Sequence, residues 1–125
     1  MLKGDQVHMT APFILHIVPR SAWETAQSAG SYRGDTLDTE GFIHCSTVAQ
    51  VLGPANIRFH GQQDLLLLRI DAGKVRSEII YEDCYDSGDV FPHIYGLLNL
   101  DAVTEVIDFP PNQDGSFSLP SSLRG

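Results

Sequence analysis

Apolar residues along this chain come in short, β-branched runs broken by polar, turn-rich stretches, a rhythm of strands with a few short helices between them. Phe13-Ile14-Leu15-His16-Ile17-Val18 is a near-continuous apolar run of strand length, and Pro19 ends it. Ser21-Ala22-Trp23-Glu24 has the form of a capping box and predicts a helix to about Ala29, with Gly30 as its stop and Trp23 as its core anchor. Residues 31–40 are polar and read as a long loop. Gly41-Phe42-Ile43-His44-Cys45-Ser46 then predicts a strand with Phe42, His44 and Ser46 on one face and Ile43 and Cys45 on the other. Thr47-Val48-Ala49-Gln50 reads as a second capping box, and Gly53-Pro54 should break the helix it opens.

The strongest strand is Asp64–Asp71, apolar on both faces and so central, with Arg69 as its exception beside Leu65 and Leu67. Glu78–Glu82 predicts a shorter strand and 83–89 a polar loop. Residues 90–96 read as extended or turn-like around Pro92. Val103–Phe109 reads as a last strand with one solvated face. Beyond it only Phe117 and Leu119 look like anchors. No repeat or internal boundary interrupts the pattern. The expected organisation is a loose tail at 1–12, one α+β domain at 13–119, and a C-terminal tail at 120–125.

Composition agrees with one core. At 125 residues the chain suits a single domain, and 42% apolar with 19% charged residues is globular. Sixteen acidic against eight basic residues give a net charge of −8, which opposes a nucleic-acid partner. Two cysteines make no disulfide framework, and Cys45 should act as a small buried hydrophobe. No signal-peptide core and no membrane-length run are present, so the expected setting is soluble, reducing and cytoplasmic, away from a membrane.

Three histidines, His16, His44 and His93, stand in apolar extended segments. Each alone fits a core residue bonded to a backbone carbonyl. Three in so small a chain predict that they meet, because separate burial would desolvate each without gain. Tyr95 should share the face of His93. Arg69 could clamp an anionic ligand or pair with Glu82 or another acid. Tyr32 and Arg33 could reach over a site or stay solvated, and Glu40 shares the parity of His44 across Gly41. No Gly-rich phosphate loop or short-spaced metal motif occurs, and Cys45 points away from His44, which excludes a dyad on one face. A divalent-metal site built from the three histidines stays open as an alternative.

Ile14–Pro19, Gly41–Thr47, Asp64–Leu68, Phe91–Gly96 and Leu98–Leu100 together resemble a bacterial family known only as domain of unknown function 952, over residues 13 to 119. That family in turn resembles the ADP-ribosyltransferase superfamily. The resemblance implies a small split sheet, mixed or antiparallel, with two or three short helices around a nucleotide cleft. By it, His16 matches a ribose-holding position and His44 with Ser46 a second motif lining the nicotinamide pocket. The third position, commonly a glutamate, would fall at His93-Ile94-Tyr95, which has no carboxylate. The resemblance thus implies NAD or a related nucleotide as the ligand, with no metal. Together with the reading of the residues, this makes His44 and Glu40 the candidates for catalysis, and His16, Ser46, Arg69, His93 and Tyr95 the candidates for substrate binding. The alternative is a non-catalytic small-molecule or divalent-metal module using His16, His44 and His93.

Overall fold

The apolar runs pair with one another antiparallel. The computed structural model describes residues 12–83, 86 and 88–124. In chain order it contains β1 (Phe13–Pro19), α1 (Arg20–Ala29), β2 (Ser31–Tyr32), α2 (Leu37–Glu40), β3 (Ile43–His44), α3 (Leu52–Arg58), β4 (Leu65–Asp71), β5 (Glu78–Glu82), β6 (Phe91–Tyr95), β7 (Leu98–Asn99) and β8 (Val103–Asp108). One sheet has the order β1-β4-β8, a second β3-β6-β5, and β2 pairs with β7 in a short ribbon. The expected α+β class holds, and every strand pair is antiparallel, not mixed.

β4 is central because it is apolar on both faces. Leu66, Leu68 and Ile70 join Ile14, Val18, Trp23, Tyr32, Ile43 and Ile94 in one core. Leu65 and Leu67 join Leu15, Val51, Phe109 and Phe117 in a second core on the other face. Burying a side chain such as Leu67, fully excluded from solvent, contributes on the order of 2 kcal/mol. β8 alternates half-buried and exposed positions, as its pattern predicts.

The two larger sheets meet at one seam. Leu15 donates its N–H to the Ser46 carbonyl at 2.7 Å, and Ser46 returns the bond at 2.8 Å. Cys45 N–H reaches the Pro92 carbonyl at 3.1 Å, which carries the β3–β6 pairing up to that seam.

Several local expectations give way to tertiary contacts. α1 begins at Arg20 after Pro19, and no side chain caps it. Ser21 thus lies inside the helix and not at its N-cap, so the Ser21–Glu24 capping box does not form, and the Asp64 carbonyl takes the Arg20 N–H at 3.0 Å. Gly30 does end the helix, in a left-handed conformation with φ 88° that a side chain would resist. At Thr47–Gln50 half of the box forms: Gln50 Oε1 accepts from the Thr47 N–H at 3.1 Å. The helix itself starts later, at Leu52. Pro54 therefore falls in its first turn, where an N–H has no helical partner to lose, and no break results. The expected loop 31–40 contains β2 and the single turn α2.

The boundaries shift too. In the stretch expected as a C-terminal tail, Leu123 is 9% exposed and packs into the second core. The expected N-terminal tail, with His8, lies outside the described residues except Pro12, whose carbonyl accepts from the Ala72 N–H. Among the described residues, no helix is long and apolar enough to cross a membrane.

Candidate functional site

β1 puts His16 on the same face as Ile14 and Val18, beside the seam. Its Nδ1 lies 2.5 Å from the His44 carbonyl oxygen, and its Nε2 lies 2.7 Å from the Tyr32 hydroxyl. A carbonyl can only accept, so Nδ1 carries the proton and Nε2 accepts from the tyrosine. Both nitrogens are thereby engaged. Burial pushes the imidazole down to about 4, outweighing the bond to the His44 carbonyl, and holds it neutral. The Tyr32 phenol, also buried, is pushed up and stays a donor.

β3 and β6 bring the other two imidazoles together. His44 and His93 are cross-strand partners with ring centroids 5.4 Å apart. His44 Nε2 lies 3.2 Å from Glu40 Oε2, a reach across the left-handed turn at Gly41. Burial lowers the His44 pKa; Glu40 opposes the shift, while Arg58 and His93 add to it. His93 is almost fully buried. Its Nδ1 donates to Glu82 Oε2 at 2.8 Å, and the Tyr95 hydroxyl donates to the same oxygen. Phe42 stacks on His93 at 4.1 Å between centroids and meets His44 edge-on at 4.9 Å.

The three histidines open onto one cleft of about 890 Å³. Its floor is His16, Tyr32, His44, Ser46 and His93, one wall is the alanine face of α1, and Arg33 and Arg58 stand on its lining. The Ser46 backbone is spent on the seam. Its hydroxyl makes no hydrogen bond among the described residues.

Two expected site residues are elsewhere. Arg69 lies on the opposite face of β4, stacked over Phe13 at 4.1 Å and 3.7 Å from Glu105. Its parity with Leu65 and Leu67 foretells that face, and its acid partner is Glu105 and not Glu82. Tyr95 turns to Glu82 and Phe42, away from the cleft wall. Both His16 nitrogens are already engaged, and among the described residues no group of three or more His, Cys, Asp or Glu could hold a metal ion. Cys45 is buried in the first core with its thiol pushed up, as a small hydrophobe should be.

Sequence reasoning missed Glu82, Phe42 and Arg58. Glu82 supplies the carboxylate that the His93-Ile94-Tyr95 segment lacks, from the neighbouring strand. A glutamate closing a short strand, on the parity of Ile80, was the available signal, and Glu78 at the other end of the strand shares it.

A family model described as "Protein of unknown function (DUF952)" matches residues 17–106, more than half of the chain. The protein belongs to the DUF952 family. The fold agrees with solved structures of protein CC0527 from Caulobacter crescentus. Its crystal structure superposes with a TM-score of 0.77 at 31% identity, covering 86% of this chain and 94% of that one. Its solution structure gives 0.71 at 30% identity, covering 91% and 98%. No curated protein matches the chain. The DUF952 match takes in His44, Ser46 and His93, while Leu15 and His16, on the β1 side of the seam, lie just before it.

Proposed function

We propose that this cleft binds a nucleotide of the NAD or ADP-ribose class, and that the protein is an ADP-ribosyltransferase-like enzyme acting in the cytoplasm on the glycosidic bond of that nucleotide. The observation that carries the reading is the convergence of three imidazoles, from strands of both sheets, onto one cleft at a split seam. The cleft's volume of about 890 Å³ lies within the range of small-molecule sites. The net charge of −8 favours a small ligand over a nucleic acid.

Each side chain then takes a role its bonds permit. His16, with both nitrogens engaged, is a positioning residue that holds the Tyr32 ring and the His44 backbone. The Ser46 hydroxyl and His44 face the ribose. Tyr32 and Phe91 flank the base. Breaking a nicotinamide–ribose bond leaves positive charge on the sugar, which a fixed negative group stabilises. Glu40, bonded to His44, and Asp35, on the cleft lining, are the carboxylates available for that role.

A specific observation favours a second reading, binding without turnover. Glu40 and Glu82 each stand behind an imidazole and not on the cleft lining. One experiment separates the readings. NAD and ADP-ribose at a hundred times the dissociation constant should add roughly 2.7 kcal/mol of stability, a rise on the order of ten degrees for a domain of this size. Nicotinamide release from NAD, followed by chromatography, should accompany it if the protein is an enzyme. A shift without release supports the binding module. Millimolar nucleotide with no shift would leave the fold likeness alone, which confers no activity.

A further inference from the structure

The chain has six arginines. Five have partners: Arg20 bonds Asp64 and Asp108, Arg33 pairs with Asp38, Arg69 with Glu105, Arg76 with Asp101, and Arg124 bonds the Leu119 carbonyl. Arg58 alone has no hydrogen bond, ion pair or ring contact among the described residues. In a chain with twice as many acids as bases, a guanidinium without a carboxylate is a departure that needs a reason. Its location supplies one. Arg58 is the last residue of α3 and lines the cleft beside Pro54, Phe59 and Gln62. Arg33 lines it too, but Asp38 already offsets its charge.

We infer that Arg58 is the anion-binding residue of the cleft, and that the ligand presents a phosphoryl group to it next to His44. A planar guanidinium offers paired N–H donors that match two phosphoryl oxygens at once. The wall on that side adds the Gln62 side chain, and the neutral His44 ring lies near enough to feel the Arg58 charge. One unpaired, exposed cation on the lining of a partly open cleft suits a phosphomonoester or diphosphate and not a polyanion, which needs a row of cations. The inference deepens the nucleotide reading and rests on it for the rest of the ligand. The competing explanation is that Arg58 only complements the C-terminal end of α3.

The test titrates wild type, Arg58→Ala and Arg58→Lys with pyrophosphate, ADP-ribose and adenosine, by calorimetry, and follows the His44 ring by NMR. Removing a charge-assisted bond should weaken ADP-ribose and pyrophosphate ten- to hundredfold, roughly. Lysine should restore part of that loss, and adenosine should bind all three proteins alike. Among the described residues, the charged or titratable groups acting on His44 are Glu40, Arg58 and His93. An anion seated on Arg58 offsets its charge, so pyrophosphate should raise the His44 pKa in wild type and leave it unmoved in Arg58→Ala. ADP-ribose binding wild type and Arg58→Ala equally would overturn the inference and leave the nucleotide reading standing. Pyrophosphate bound through Arg58 with no ADP-ribose binding would do the reverse. An adenosine loss as large as the ADP-ribose loss, or an unliganded Arg58→Ala that melts far below wild type, would return Arg58 to a structural role and sink the inference. No response to any of the three compounds overturns both.

Discussion

Lowering the pH from about 6.5 to about 4 should remove on the order of 3 kcal/mol of stability through His16 alone. The unfolded chain takes up its proton near 6.5, whereas the folded chain resists until about 4. Between those values the unfolded state binds more protons, so stability climbs with pH and levels off above 6.5. The cause is desolvation. A second ring proton would charge an imidazole whose Nδ1–H already serves the His44 carbonyl, and whose Nε2 is filled by the Tyr32 hydroxyl. Denaturant titrations from pH 4 to pH 7 should show the slope in wild type. Carboxylates also titrate in this window, so the comparison that isolates His16 is His16→Asn, whose amide can still donate to the same carbonyl. The variant should run flatter, and identical slopes in the two proteins would remove His16 from the account.

Leu67→Ala should cost roughly 2–5 kcal/mol, and His44→Ala within about 1 kcal/mol. Leu67 has no solvent exposure and is walled by Leu15, Val51 and Phe109, so truncation leaves a cavity that a three-stranded sheet cannot close. His44 faces the cleft, and the atom that locks it to His16 is its backbone oxygen, which alanine keeps. Melting temperatures should therefore fall by roughly ten degrees or more for Leu67→Ala and by a few for His44→Ala. Should His44→Ala fall as far as Leu67→Ala, the imidazole is a packing element, and the site built around it collapses.

How much was legible in the sequence depends on whether a feature was local or paired. The β4 run reads as central because Leu65 to Leu68 fill both faces, and the structure sandwiches it between two cores. The faces of Phe42, His44, Ile43 and Cys45 follow from alternation alone. The meeting of His16 with His44 was readable only as an argument about desolvation, since no spacing relates them; their bond runs from a ring to a backbone oxygen. Glu82 was invisible as a partner because its link to His93 depends on the β5–β6 register, in which Ile80 faces His93 and Glu82 reaches diagonally. The capping box failed at Ser21 because the helix starts a residue earlier, at Arg20, whose N–H the Asp64 carbonyl, distant in the chain, accepts. Arg69 was misplaced for a simpler reason: its own parity with Leu65 and Leu67 set it on the face away from His16.

The seam between the sheets also sets an order of assembly. β1 has no partner until β4 exists, and His44 has none opposite it until β6 has been made. Pairings between segments so far apart require closing long loops before any contact rewards the closure, which slows folding. The hairpin of β5 and β6 joins near neighbours and forms first on that argument, carrying Glu82, His93 and Tyr95 as a ready-made cluster. The cleft comes into being only once β3 has paired with β6 and β1 has closed against Ser46. During synthesis, a nascent chain that has not yet emitted β6 holds two of the three cleft imidazoles and none of the geometry, so no ligand could guide the early stages of its folding.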